Sequence, residues 1–152
     1  MSVRRWAVAL LVLLPLCWGG VGYASTRTPT ADDYRRAAAG AARSAYHALV
    51  TADLVGRARL AGRLPSPYTG NVLDDGRAAV SGAARRFAAA TPVDAPTARL
   101  RDRLGPLLLA ATDRLTDVRR AARAPDPSAL RRSVDALAPV TAALAGLLQE
   151  YG

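Results

Sequence analysis

The sequence predicts an all-α protein: an antiparallel up-and-down four-helix bundle preceded by an N-terminal hydrophobic leader helix. Three observations lead there. Apolar residues recur at alternating steps of three and four along four successive segments, the spacing that lines one face of a helix. Proline-bearing stretches, RLPSP, TPVDAP and APDP, divide those segments and are short enough to favour antiparallel neighbours. The N-terminus has the layout of an export leader. A three-helix arrangement with the second segment irregular is the structural alternative.

Residues 1–24 read as that leader. Arg4 and Arg5 precede residues 6–18, a thirteen-residue run without charge, and then Gly19, Gly20, Val21, Gly22, Tyr23 and Ala24. Basic residues beside an apolar run keep that end in the cytosol. Gly22 and Ala24 place small side chains at the third and first positions before a cut at Ser25. Two alternatives stay open. Residues 6–24 are nineteen membrane-compatible residues, close to the roughly 20 that span a bilayer, so a retained anchor tethering the domain to the membrane is one. Lipid attachment at Cys17 is the other, although Leu16 stands where a small residue belongs. Trp6, Ala7 and Val8 fit a twin-arginine signal poorly. Residues 25–30 (STRTPT) form a linker, and residues 31–152 the helical domain.

The first helix is expected over residues 31–64. Thr30 caps it with Asp33 three residues on, and Asp32 and Asp33 suit the positive end of the helix dipole. Its stripe is Tyr34, Ala38, Ala41, Ala45, Ala48, Ala52 and Val55; Gly56 and Gly62 weaken its last turns. Pro65 ends it. Ser66 caps the second helix and Pro67 opens it, because the amide that proline lacks has no partner there anyway. The second stripe is Val72, Gly76, Ala79, Ala83, Phe87 and Ala90. Asp94 caps the third helix, striped by Leu100, Leu104, Leu107, Ala111, Leu115, Val118 and Ala122, with a kink at Gly105-Pro106. Asp126 caps the fourth and Pro127 starts it. Leu130, Val134, Leu137, Thr141, Leu144, Leu148 and Tyr151 then alternate without a miss, and Pro139 should bend the helix.

Composition narrows the chemistry. With residues 1–24 removed, 19 arginines face 12 acids, a net charge of +7, which favours anionic partners through long-range attraction. No lysine is present to serve as a Schiff-base or general-base group. Cys17 lies in the leader, so residues 25–152 contain no disulfide and must rely on packing. Few aromatic residues interleave with the arginines, which argues against stacking on nucleic acid bases. One histidine, His47, and one glutamate, Glu150, leave little material for a metal or acid–base site, and no cofactor is expected.

No catalytic residue and no metal ligand is assigned. Asp74-Asp75, following a Pro, Tyr and Gly corner, is the pair to consider first for a hydrolase. Adjacent positions on a helix nevertheless diverge by roughly 100°, and Asp74 has Arg77 three residues on as a surface partner. Asp32 has Arg35 or Arg36. The grouping that stands out is basic: Arg119, Arg120 and Arg123 close the third helix while Arg131 and Arg132 open the fourth. The APDP turn brings these five to one end of the bundle as an anion-facing patch, with Asp117, Asp126 and Asp135 as partial counter-charge.

The stretches GRLPSPYTGNVLDDGRAAV and ALRRSVDALAPV, together with the leader, resemble uncharacterised small exported helical proteins of high-GC actinobacteria over most of residues 45–140. The resemblance implies export and helicity and no particular activity. The expectation is an exported, non-enzymatic binding module of the cell envelope, secreted or membrane-anchored. Its partner would be an envelope protein or an anionic polymer or lipid surface, not nucleic acid. A structural accessory subunit of an envelope assembly is the alternative. Sequence does not fix the oligomeric state.

Overall fold

The computed structural model describes residues 30–151, and the leader, its anchor and Cys17 alternatives and most of the linker lie outside them. Within the described residues the protein is all-helical. α1 runs Ala31–Leu60, α2 Ser66–Ala89, α3 Ala95–Arg123, α4 Pro127–Asp135 and α5 Ala138–Tyr151. None of these helices is long and apolar enough to cross a membrane.

The starts follow the capping chemistry. Thr30 Oγ1 accepts from the Asp33 amide at 3.2 Å while Asp33 Oδ2 accepts from the Thr30 amide at 3.1 Å, a reciprocal capping box. Asp94 and Thr97 repeat the arrangement at α3. Asp126 accepts from the Ser128 amide at 2.8 Å and Pro127 opens α4. At α2 the expected Ser66 cap is displaced. Ser66 is already helical, Pro65 occupies the cap position with no side-chain bond to give, and Thr69 Oγ1 donates to the Pro65 carbonyl at 3.1 Å.

Two helix ends differ from the sequence reading for backbone reasons. α1 stops at Leu60 rather than residue 64 because Gly62, at φ +70°, reverses the chain. The Gly62 amide donates to the Arg59 carbonyl at 3.0 Å and the Arg63 amide to the Ala58 carbonyl at 2.9 Å, the paired bonds of a Schellman ending. The fourth segment divides in two at Ala136-Leu137. Pro139 has no amide for the Asp135 carbonyl, and its ring crowds that carbonyl, so α4 ends at Asp135. α3, by contrast, runs through Pro106 as one helix.

The helices share one apolar core. α1 packs against each of the other four, α2 also against α3, and α3 against α4 and α5. All seven residues of the expected α1 stripe are buried, and its alanines let neighbours approach closely. The α2 stripe is rotated by one residue over its first half: Thr69, Leu73 and Val80 are buried, whereas Val72 is half-buried and Ala79 exposed. The larger side chains Leu73 and Val80 take the inward positions because they remove more apolar area from water. On α3, Leu108 replaces Leu107 as the fully buried residue; on α5, Leu147 is buried and Leu148 and Thr141 are half-buried. Tyr34 stacks obliquely on Phe87, their ring centres 5.4 Å apart, joining the start of α1 to the end of α2.

Candidate functional site: the basic end of α3 and α4

The last turns of α3 and the first of α4 meet across a turn of three residues, Ala124, Pro125 and Asp126. The five arginines singled out by sequence lie on these two helices, but they do not form one patch. Arg119 and Arg123, four residues apart, turn toward α2 and share the carboxylate of Asp74: Arg119 Nε lies against Asp74 Oδ1, and Arg123 Nη2 is 3.8 Å from Oδ2. Arg119 and Asp74 are both partly buried. Their contact is ionic rather than aligned, since neither Asp74 Oδ1 nor Arg119 Nε has a hydrogen-bond partner. The local pair expected between Asp74 and Arg77 is absent among the described residues, and Arg77 Nε is buried without a hydrogen-bond partner.

Arg120 is one residue, hence about 100°, round the helix from Arg119. It points to a different side, into a groove of ≈ 390 Å³ between α3 and α4. Arg114, Asp117, Arg132 and Ser133 line the same groove together with Ala121, Ala124, Ala129 and Ala136. Asp117 holds Arg120 at 2.9 Å and Arg114 at 3.5 Å. Arg132 sits 3.8 Å from Asp126 and donates to Ser128 Oγ at 3.1 Å. Asp126 is held below the usual carboxylate range, chiefly by the Ser128 hydroxyl and then by the Ser128 amide. Arg131 is exposed and has no acid within 4.0 Å among the described residues. Asp135, one of three acids expected as partial counter-charge for this end, instead lies 3.5 Å from Arg57 of α1, which also pairs with Asp53 at 2.8 Å.

The carboxylates considered for hydrolysis are separated by the same helical rotation. Asp74 is committed to the arginines of α3. Asp75 borders an open groove between α1 and α2 with Ser44, His47 and Thr51. Among the described residues no hydrogen bond or ion pair joins these four. His47 is exposed and edge-on to Tyr46, their ring centres 5.6 Å apart. A hydroxyl nucleophile needs a base in hydrogen-bond reach and a third group to orient that base, so this groove offers the residue types without the connections. No group of three or more His, Cys, Asp or Glu able to hold a metal occurs among the described residues.

The sequence did not mark Arg114 or Ser133 as site residues. Arg114 falls six residues before Arg120 and Ser133 directly follows Arg132; only the packing of α4 on α3 brings them together. Comparisons with protein-family models, curated proteins and solved structures found no match for this chain.

Proposed function

We propose that the chain is exported by residues 1–24 and that residues 31–152 form an antiparallel four-helix bundle acting in the cell envelope by binding an anionic component, without catalysis. The connections of three to five residues between the first four helices support antiparallel neighbours. The observation that carries the binding reading is the excess of arginine where α3 meets α4. Asp135 is drawn off to Arg57, leaving Arg131 with no acid within reach and Arg120 and Arg132 with exposed partners. Exposed pairs of this kind contribute about 1 kcal/mol or less, so they yield readily to an incoming polyanion.

The test is retention on phosphatidylglycerol vesicles against phosphatidylcholine vesicles at low salt. Wild-type protein is expected on the anionic vesicles only, eluting as salt rises, and Arg131→Gln with Arg132→Gln is expected to reduce retention. Equal retention by the double variant removes the proposal. Cell fractionation with mass measurement tests export: a mature chain beginning at Ser25, or full-length protein in the membrane, separates a cleaved leader from an anchor.

A second reading, an accessory subunit packed against another protein, is favoured by one observation. Val50 and Leu54 lie one turn apart on α1 and are 41% and 68% exposed. Leu54→Glu would abolish such an association and leave vesicle retention intact.

A further inference from the structure

Arg120 and Arg132 come from different helices and reach one groove, whose remaining lining is largely alanine. Three guanidinium groups line that groove against a single carboxylate, Asp117, which two of them share. Asp126 lies outside the lining, and its Oδ1 already accepts from the amide and hydroxyl of Ser128. With both acids counted, one positive charge is left over; with the lining alone, two. Guanidinium forks match the paired oxygens of a phosphate, and the ion pairs they make with solvent-exposed carboxylates contribute little that a ligand must displace. The alanine methyls offer no hydrogen bond. A bare ion would leave them wet, whereas an apolar substituent would cover them.

We infer that the groove between α3 and α4 binds a phosphate ester carrying a short apolar substituent. Arg120 and Arg132 grip the phosphate oxygens, Ser133 adds a hydroxyl donor, and Ala124 and Ala129 meet the substituent. This rests on the reading of the basic end as the contact surface and narrows it to one place and one chemistry.

The experiment is calorimetric titration of the full chain at low salt with butyl phosphate and with inorganic phosphate. Butyl phosphate is expected to bind several-fold more tightly. Arg120→Gln and Arg132→Gln are each expected to weaken it on the order of tenfold, the loss of a charge-assisted bond. Arg132→Lys should lose most of that affinity too, because charge is kept and the fork is not. Arg43→Gln, an equal loss of charge on the exposed surface of α1, should leave binding unchanged. Displacement of butyl phosphate by phosphatidylglycerol vesicles assigns the ester to a lipid headgroup, and no displacement assigns it to a free ester; both support the site. Equal effects of Arg43→Gln and Arg132→Gln, or equal affinity for the two phosphates, overturn the inference while vesicle retention stands. Loss of vesicle retention in wild type would sink the broader reading instead.

Discussion

Gly56 of α1 and Val134 of α4 approach so closely that a Cβ placed on the glycine would overlap Val134 Cγ2. In a helix interior glycine costs about 1 kcal/mol against alanine, and sequence alone presents Gly56 as a weakness near the end of α1. The packing supplies the reason for it. Val134 is 1% exposed and β-branched, so it cannot swing aside, and α1 and α4 can meet at this distance only where one of them has no side chain.

Gly56→Ala is therefore expected to destabilise the fold by about 1–2 kcal/mol, overpacking outweighing the propensity gain. Urea unfolding gives the value. Adding Val134→Ala should remove the clash and recover part of the loss, so the two changes are non-additive. Additive losses would mean that the close approach is not what requires glycine.

Asp74 gives a second expectation. Its carboxylate sits between Arg119 and Arg123 and is partly screened from water. Asp74→Asn should cost about 1–2 kcal/mol, between the values for exposed and buried pairs, while Asp75→Asn, at an exposed position, should stay within about 0.5 kcal/mol. A comparison of denaturation midpoints decides it, and equal effects would deny Asp74 its cross-helix role.

Tyr34 is 3% exposed and its hydroxyl is buried without a hydrogen-bond partner. Burial also pushes the phenol above its ordinary pKa. An unpaired buried hydroxyl costs about 1–3 kcal/mol, so Tyr34→Phe, which keeps the ring on Phe87, should raise stability by about 1 kcal/mol. A fall in the melting temperature would show that the hydroxyl is satisfied.

These sites show where the sequence was readable. Caps were legible because Thr30, Asp94 and Asp126 act on amides two or three residues away, so their chemistry is complete within a few residues. All seven positions of the α1 stripe are buried, but fully buried Leu49, next to Ala48, lies outside the stripe, since an apolar neighbour continues the spacing equally well. The α2 stripe was ambiguous where Val72 stands beside Leu73 and Ala79 beside Val80, since either member of each pair continues the spacing. Only contact with α1 and α3 settles the rotation. The arginines followed the same logic. That α3 and α4 meet at a basic end is written in the order of residues, but one helical step turns Arg119 and Arg120 about 100° apart, and Arg119 finds its partner, Asp74, on α2 while Arg120 pairs with Asp117 of its own helix.

Glu150, near the C-terminus, contributes to the pH dependence. Arg103 of α3 grips Glu150 through two nitrogens, at 2.8 and 2.7 Å, and its guanidinium lies 5.7 Å from the centre of the Tyr151 ring. The hydrogen bonds from Arg103 hold the Glu150 carboxyl below its ordinary pKa, and the Thr97 hydroxyl, then the Thr97 amide, do the same for Asp94. Each group has a lower pKa folded than unfolded, so the unfolded chain binds more protons in acid and stability rises with pH. The contribution is complete above the ordinary carboxylate range, near about pH 5, and drains away as pH falls through the folded values. Glu150→Gln removes one of these groups, so the fall in melting temperature between pH 5 and pH 3 should be shallower than in wild type, with Asp94 and Asp126 supplying the remainder. Identical slopes in the two proteins would mean that the Arg103–Glu150 clasp does not persist in solution.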